Sequence, residues 1–351
     1  MAGSASGGFI LARHGYTLIC ARGKQTLMKR RELLKALPAL AMAAPTTEAL
    51  AQTAPSLTQT APAAFKGRLR PGVVALSFRP QLESGAMTYE DAVRTIADLG
   101  LEGMDMTGYW LPPLLPFKPG IPSQQISEMV RASPPEPTSQ WMSSLRNTAY
   151  KNGVHIYSVG SAVKIAQATA ELRQKEIASA KKWIDIAERV GAAHVRVFGG
   201  GIAKGATEAE AIDWAVEVYK PVLDYAGNKG ILVGLEDDDE LTRTSEQLLA
   251  ILKRVAHPFA CINLDCGNFR KDGYKEVERC APFAGATHIK SMMSTPEGKR
   301  EPADWVKLFG LLANGGYRGY VSIEMEPSDN DNPVQRYAGE LIRCARMYSG
   351  A

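Results

Sequence analysis

The sequence predicts an α/β protein folded as one (β/α)8 TIM barrel, and three observations favour this fold. Short apolar runs alternate with helix-period runs eight times between residues 71 and 351. Polar residues end the later apolar runs, as they do at the active-site face of a barrel. The run Ser77-Phe78-Arg79-Pro80 stands where a doubly wound open sheet usually has its glycine-rich phosphate loop. The barrel is therefore favoured over the doubly wound sheet.

The eight predicted strands are short apolar runs that mostly end in glycine or polar residues. In chain order they are Val73–Phe78, Gly103–Thr107, Val154–Val159, Ala193–Phe198, Ile231–Glu236, Ala260–Asp265, Ala286–Lys290 and Tyr320–Glu324. Helix-start signals lie between them, including Thr88 with Asp91 and Thr207 with Glu210, each pair three residues apart. The strands and helices therefore follow one another in the order that a barrel requires.

A long insertion separates the second predicted strand from its helix. It runs from Tyr109 to Ser143, is rich in proline and contains Trp110, Phe117 and Trp141. In a barrel this segment lies on the C-terminal face, over the active site. Loops of this length without secondary structure are usually functional. We expect a structureless loop that serves either as a lid or substrate wall, or as an oligomer contact.

The composition is that of a globular protein and excludes several classes. With 45% hydrophobic and 22% charged residues, the chain is neither disordered nor fibrous. The net charge of +4 arises at the N-terminus, where residues 1–51 contain seven Lys/Arg and two acidic residues. The remaining residues carry a net charge of −1. Without a basic excess, no nucleic-acid partner is expected.

Residues 1–51 are predicted to contain an export signal. A basic cluster with the pair Arg30-Arg31 precedes a short apolar run over 36–44 and the small-residue sequence Ala49-Leu50-Ala51. This order is typical of a secretory signal, and the arginine pair resembles the twin-arginine type. We expect cleavage near Ala51 and a periplasmic or secreted mature protein.

Two further predictions concern the same end of the chain. Met28 directly precedes the basic cluster, which makes it an alternative start and leaves residues 1–27 outside the translated protein. Residues 52–70 are rich in Ala, Pro, Thr and Gln, and are predicted to be a flexible linker before the single barrel at 71–351. The apolar run is too short to span a bilayer, so the mature form is expected to have no membrane segment.

Four acidic or imidazole side chains stand at or near the ends of the last four predicted strands: Glu236, Asp265, His288 and Glu324. Strands point alternate residues inward, and an unpaired carboxylate inside a barrel is very costly. Three carboxylates and one imidazole at one point therefore need a cation. Their oxygen and nitrogen donors suit Mn²⁺, Mg²⁺ or Co²⁺ better than a thiol-loving ion.

The four residues lie in the sequences ILVGLED, INLDCGN, THIKS and GYVSIEMEPSDNDNP. These sequences resemble the sugar phosphate isomerase/epimerase family, within the xylose isomerase-like barrels, from Pro71 to Tyr348. The resemblance implies that all four residues hold one divalent ion, most often Mn²⁺. By analogy with the ketose epimerases of that family, Glu236 and Glu324 are also the catalytic acid and base.

The chemistry of the four residues agrees with this role. Removing a proton from a carbon beside a carbonyl creates an enediolate, which a cation stabilises. A carboxylate on each side can remove and return the proton. Three further candidates are expected to bind substrate. Lys290 shares the inward parity of His288, Asn268 stands where the family commonly has a histidine, and Arg196 in VRVFGG matches the family.

The leading hypothesis is a metal-dependent isomerase or epimerase acting on a small-molecule sugar or glycoside. A lyase or deglycosidase on oxidised (3-keto) glycosides would use the same site, and a non-catalytic sugar-binding or accessory subunit is a third alternative. Asp237-Asp238 after Glu236, where many members have Asn-His, and Asn268 both argue against a simple ketose epimerase. The endonuclease IV branch is excluded because its trinuclear zinc cluster is rich in histidine, and residues 52–351 contain four histidines. A homo-oligomer, most commonly a dimer, is the default expectation.

Overall fold

The computed structural model describes residues 10–13, 16–21, 24–29, 68–112, 121–325 and 333–349. The chain divides into two compact units, Met1–Ala61 and Pro62–Ala351. In the first unit, three antiparallel strands are ordered β1 (Ile10–Arg13), β2 (Tyr16–Ala21) and β3 (Lys24–Lys29). Nearly all of the predicted export signal and linker falls on residues 30–67, outside the described residues. The export signal and the linker therefore stay predictions.

The second unit is built on a closed barrel of eight parallel strands, which confirms the predicted fold class. Every predicted strand corresponds to one barrel strand. The strands are β4 (Arg70–Val74), β5 (Gly103–Thr107), β6 (His155–Lys164), β7 (His194–Phe198), β8 (Leu232–Glu236), β9 (Ala260–Asp265), β10 (Ala284–Ile289) and β13 (Tyr320–Ile323). They pair in chain order around the barrel, and β13 closes it against β4.

Ten helices are described along the second unit, most of them between strands. They are α1 (Arg79–Ser84), α2 (Tyr89–Asp98), α3 (Ser123–Ala132), α4 (Ser139–Lys151), α5 (Ala170–Val190), α6 (Glu208–Gly227), α7 (Ser245–Val255), α8 (Gly273–Cys280), α9 (Trp305–Asn314) and α10 (Pro333–Met347). Both predicted capping boxes are present, at Thr88 with Asp91 and at Thr207 with Glu210. Within the described ranges, no helix combines the length and apolar character needed to cross a membrane.

The first predicted strand was placed too late in the chain. The strand ends at Val74, and Ala75–Phe78 forms a 3₁₀ turn. The Leu76 N–H donates to the side-chain hydroxyl of Thr107 in β5 instead of to a backbone carbonyl of that strand. Ser77 Oγ donates to the Ile323 carbonyl and accepts from the Met325 N–H. These hydrogen bonds to residues distant in sequence satisfy the turn, although its apolar side chains resemble a continuing strand.

The insertion from Tyr109 to Ser143 is not the structureless loop that its proline content predicted. It contains a 3₁₀ turn at Gly108–Trp110, the whole of α3 and the beginning of α4, with residues 113–120 outside the described part. Ile126 and Val130 are fully buried and lie four residues apart on α3. Their burial against the apolar core stabilises a helix that the composition did not indicate.

The remaining short elements lie mainly at the ends of barrel strands. Two further 3₁₀ turns, Glu240–Thr242 and Ala281–Phe283, are described, together with a two-stranded hairpin of β11 (Met292–Ser294) and β12 (Arg300–Pro302). The strands alternate between two environments. In β8, Val233 and Leu235 are fully buried in the main apolar core, whereas Gly234 and Glu236 occupy the opposite face. That second face, inside the barrel, carries the polar residues of the candidate site.

Candidate metal centre and active site

Neighbouring barrel strands bring the four predicted ligands together. Glu236 and Asp265 are the last residues of β8 and β9, His288 is the penultimate residue of β10, and Glu324 directly follows β13. All four are buried, with at most 4% of each residue exposed. Glu236, Asp265 and His288 each contribute one atom that could bind a metal ion, and these three atoms lie within 4.8 Å of one another. Glu324 Oε2 lies 3.3 Å from His288 Nδ1.

His288 presents one ring nitrogen to each of two environments. Its Nδ1 atom lies 3.3 Å from both Glu236 Oε1 and Glu324 Oε2, yet makes no well-formed hydrogen bond. Its Nε2 atom lies 3.1 Å from Asp105 Oδ2. A buried ring nitrogen left unpaired among carboxylates, with a carboxylate on the opposite nitrogen, is the arrangement of a metal-binding histidine. The residues therefore fit a divalent cation.

Asp105 and Asn263 belong to the site, although the sequence reasoning missed both. Asp105 lies in the fully buried strand β5 and is 1% exposed. An acid between two methionines, in an apolar run, was the signal that could have identified it. Asn263 Nδ2 donates to Glu236 Oε1 at 2.9 Å. The two residues thus orient His288 and Glu236 from the side away from the cavity.

Lys290 and Asn268, two of the residues predicted to bind substrate, lie in contact with each other. Lys290 Nζ lies 2.7 Å from Asp265 Oδ2 and donates to Asn268 Oδ1 at 2.7 Å. It also lies 3.5 Å from Glu324 Oε2. The ammonium group therefore connects two of the candidate ligands to the wall of the cavity.

Arg196 also lies in the site, beside Glu236. Its Nη1 atom is 3.1 Å from Glu236 Oε2, and its guanidinium lies over the Phe198 ring at 4.4 Å. Its Nη2 atom donates to the Tyr109 hydroxyl at 3.4 Å, and Tyr109 in turn is 3.3 Å from Ser127 Oγ on α3. The insertion therefore supplies part of the cavity wall. Its predicted alternative role as an oligomer contact stays a prediction.

Burial and crowding of carboxylates dominate the electrostatics. Burial raises the pKa of Asp265 to about 8, against the opposing effect of Lys290. Burial alone would also raise the pKa of Glu324, but His288 and Lys290 hold that pKa well below its usual value. Burial, with the charges of Asp265 and Glu236, raises the pKa of Asp237 far above normal. A cation among these carboxylates would relieve their mutual repulsion.

A cavity of about 570 Å³ lies over the C-terminal ends of the strands. Six of the seven predicted site residues line it: Arg196, Glu236, Asp265, Asn268, Lys290 and Glu324. His288 lies beneath this wall, fully buried. The volume is within the range of small-molecule sites. The site can therefore hold an organic ligand directly against the carboxylate cluster.

Comparison with solved structures reveals the same fold at low sequence identity. A 3-keto-D-glucoside 4-epimerase from E. coli is 14% identical with a TM-score of 0.59, over 80% of this chain and 100% of the epimerase chain. A D-psicose 3-epimerase with D-tagatose, from Clostridium cellulolyticum H10, is 14% identical with a TM-score of 0.60, over 81% of this chain and 100% of the other.

A third similar structure is a xylose isomerase-like TIM barrel protein from Mycobacterium smegmatis in complex with magnesium. It is 18% identical with a TM-score of 0.55, over 80% of this chain and 98% of the other. Among curated proteins, no sequence match was found. The sequence profile described as the xylose isomerase-like TIM barrel matches residues 93–346. Since that match spans most of the chain, the protein belongs to the xylose isomerase-like TIM barrel family.

Proposed function

We propose that the protein is a divalent-metal-dependent sugar isomerase or epimerase that transfers a proton next to a carbonyl group. The observation that carries the proposal is the convergence of Glu236, Asp265, His288 and Glu324 at a cavity wall. Similar folds in epimerases that act on 3-keto-D-glucoside and D-psicose support a sugar substrate. Mn²⁺ is the proposed ion, with Mg²⁺ and Co²⁺ as alternatives suited to the same donors.

In this proposal, Glu236 and Glu324 act as acid and base. They stand at the two ends of the ligand set, on β8 and after β13, with β9 and β10 between them. Carboxylates on two sides of a bound sugar can remove a proton on one face and return it on the other. A divalent ion bound by the four ligands would stabilise the negative charge of the resulting enediolate.

Other side chains of the cavity prepare this step. Asp265 and Glu324 raise the pKa of the Lys290 ammonium above its usual value, although burial opposes this, so it remains a cation. It can therefore donate to a developing oxyanion or to a sugar hydroxyl. Arg196 and Asn263 both contact the Glu236 carboxylate and fix its orientation. Asn268 offers an amide in place of the histidine that is common in the family.

A lyase or deglycosidase on 3-keto glycosides is the second candidate. Proton removal next to the keto group would be followed by loss of the β-oxygen substituent, with a C–H and a C–O bond broken and a C=C bond formed. Two residues favour this alternative, Asn268 and Asp238, because ketose epimerases commonly have other residues at these positions. The similar fold of the E. coli 3-keto-D-glucoside 4-epimerase also favours a 3-keto substrate. A sugar-binding subunit without turnover is the third candidate.

The test is incorporation of solvent deuterium into sugars by the Mn²⁺-loaded protein, followed by NMR. Free ketoses, phosphorylated sugars and 3-keto glycosides form the panel. Deuterium in unchanged or epimerised sugar supports the proposal, and cleavage products support the lyase. Binding without exchange supports the accessory subunit and contradicts the enzyme.

Glu236→Gln and Glu324→Gln are expected to abolish exchange and to weaken metal binding, since each removes one ligand and one proton carrier. Glu278→Gln, on the exposed side of α8, is the matched control and should retain both properties. Metal occupancy that stays full in both site variants would contradict the proposed metal centre.

We also propose that the protein acts outside the cytoplasm. The arginine pair and the apolar run before Ala51 support this proposal. Replacing Arg30 and Arg31 together by lysine is expected to retain the protein in the cytoplasm, as measured by cell fractionation. Unchanged export of that variant would contradict a twin-arginine signal.

A further inference from the structure

We propose that the natural substrate carries an anionic group, a carboxylate or a phosphate, which Arg243 and Arg270 bind at the mouth of the cavity. This inference rests on the proposed function of the same site, because it assumes that the remainder of the substrate lies at the metal centre. Both arginines line the cavity that contains Glu236, Asp265 and Glu324, and both are exposed to solvent.

Ion pairing separates these two arginines from the other cations of the cavity. Five cationic side chains line it, and three of them already pair with a wall carboxylate: Lys164 with Asp239 at 3.6 Å, Arg196 with Glu236 at 3.1 Å, and Lys290 with Asp265 at 2.7 Å. The guanidinium groups of Arg243 and Arg270 have no ion pair or hydrogen bond to any residue that the structure describes. They are therefore available to a ligand.

The acidic residues of the same rim are mostly engaged elsewhere. Asp239 Oδ2 accepts from the Gly200 N–H at 2.7 Å, and Glu240 Oε2 accepts from the Ile202 N–H at 3.1 Å. These bonds hold the segment that follows β7. Asp238 and Glu240 have no ion pair with any residue that the structure describes. The mouth therefore has as many unpaired carboxylates as unpaired guanidinium groups, and an anionic substituent of a ligand would pair with the two guanidinium groups.

Arg243 and Arg270 lie on neighbouring segments at the C-terminal end of the barrel. Arg243 directly follows the 3₁₀ turn Glu240–Thr242 after β8, and Arg270 lies in the segment after β9. Because β8 and β9 are paired neighbours, their C-terminal segments leave the barrel side by side. A guanidinium group offers parallel N–H donors that match the oxygens of carboxylate or phosphate. Two such groups that line one cavity offer several N–H donors to one anionic substituent.

The cavity also has room for both parts of such a substrate. At about 570 Å³ it reaches from the carboxylate cluster to the two arginines. One sugar can therefore contact Glu236 and Glu324 while its anionic substituent reaches the mouth. The buried cations nearer the cluster, Arg196 and Lys290, keep their own carboxylate partners in this arrangement.

The experiment compares three ketoses that differ only at carbon six: D-fructose, D-fructose 6-phosphate and D-fructuronate. Dissociation constants are measured by calorimetry with the Mn²⁺-loaded protein, so that the readout does not depend on turnover. At least one anionic probe is expected to bind about tenfold or more tightly than D-fructose, with a preference that falls as salt is added. The two anionic probes distinguish a carboxylate from a phosphate.

Arg243→Gln and Arg270→Gln are each expected to reduce the ratio of anionic to neutral affinity about tenfold. Arg243→Lys and Arg270→Lys keep the charge and should retain part of the ratio. Arg346→Gln, an exposed arginine of α10 outside the cavity, is the matched control and should leave the ratio unchanged.

Two results would overturn the inference. In the first, no anionic probe binds better than D-fructose, which includes the case in which no probe binds. In the second, the ratio of anionic to neutral affinity is the same in the arginine variants as in the parent protein. Failure of the proposed function has a different signature. It appears as absence of deuterium exchange with every sugar and as metal binding that Glu236→Gln and Glu324→Gln do not affect.

Discussion

At the scale of single residues, His288 is held in place because its two ring nitrogens have different partners. Nδ1 faces the carboxylates of Glu236 and Glu324, and Nε2 faces Asp105 and Asn263. Since Asp105 can only accept a hydrogen bond when ionised, it favours the tautomer with a proton on Nε2. That tautomer leaves the Nδ1 lone pair free for a cation.

Asp105→Asn is expected to weaken Mn²⁺ binding about tenfold to a hundredfold, the usual cost of losing the carboxylate that supports a metal-binding histidine. The amide is uncharged, and its nitrogen can oppose the Nε2 proton. Calorimetric titration of the metal-free variant with Mn²⁺ measures the effect.

Asp98→Asn, at an exposed position of α2, is the control and should bind Mn²⁺ as the parent protein does. Equal affinities in the parent and in Asp105→Asn would show that Asp105 does not support a metal ligand. The prediction would then be wrong even if the four ligands hold the ion.

The sequence predicted the four candidate ligands but not the residues that contact them, for a physical reason. Each ligand ends or closely follows an apolar run, so strand period and position indicate an inward polar side chain. The contact between Asp105 and His288 joins residues 183 positions apart. It exists only because the barrel closes, and no local pattern reports the distance across a closed sheet.

At the scale of elements, strand packing inside the barrel depends on glycines that leave space for larger neighbours. A Cβ atom built on Gly234 of β8 would overlap His194 Nε2 and approach the Asn263 side chain. Both neighbours are almost fully buried, so neither can move away freely. The small residue therefore lets β8 lie close to the interior side chains of β7 and β9.

Gly234→Ala is expected to destabilise the protein by about 1–3 kcal/mol, because an overpacked interior forces side chains from their preferred positions. Gly339→Ala is the matched control. Gly339 lies exposed within α10 with open space around its Cβ position, so alanine there should stabilise by about 0.5–1 kcal/mol. Urea unfolding of both variants gives the two free energies. If Gly234→Ala were as stable as the parent protein, the steric argument would be wrong.

The sequence also predicted the order of elements better than their limits. Apolar runs that mostly end in glycine or polar residues indicated all eight barrel strands, and Thr88 and Thr207 marked helix starts through local hydrogen bonds. The end of β4 and the helix α3 were missed because tertiary contacts decide them. Ser77 hydrogen-bonds to Ile323 at the end of β13 and to Met325 after it, and Ile126 is buried by the folded core.

At the scale of the whole molecule, the barrel interior is polar where most barrels are filled with apolar side chains. His194 is 3% exposed, and its Nδ1 atom lies 2.8 Å from Ser158 Oγ while its Nε2 atom has no described hydrogen-bond partner. Burial lowers the pKa of His194 to about 4. The folded protein therefore keeps this imidazole neutral at a pH where the unfolded chain would protonate it.

This difference in pKa makes stability fall as the pH falls. Between pH 6.5, the ordinary pKa of histidine, and pH 4, the unfolded state binds a proton that the folded state excludes. The penalty is absent above pH 6.5, grows through this window and reaches about 3 kcal/mol near pH 4. At pH 5 it is expected to be about 2 kcal/mol.

His194→Gln should remove this part of the pH dependence, whatever its effect on stability at pH 7. Urea unfolding at pH 7 and pH 5 gives, for the parent and for the variant, the loss of unfolding free energy between the two pH values. This loss should be about 2 kcal/mol smaller in the variant. Other titrating groups contribute equally to both proteins and cancel in the comparison. Asn152→Gln, at an exposed position with no titratable group, is the control and should lose as much as the parent. Equal losses in the parent and in His194→Gln would mean that the barrel interior admits the charged imidazole, and that water reaches the layer beneath the candidate metal centre.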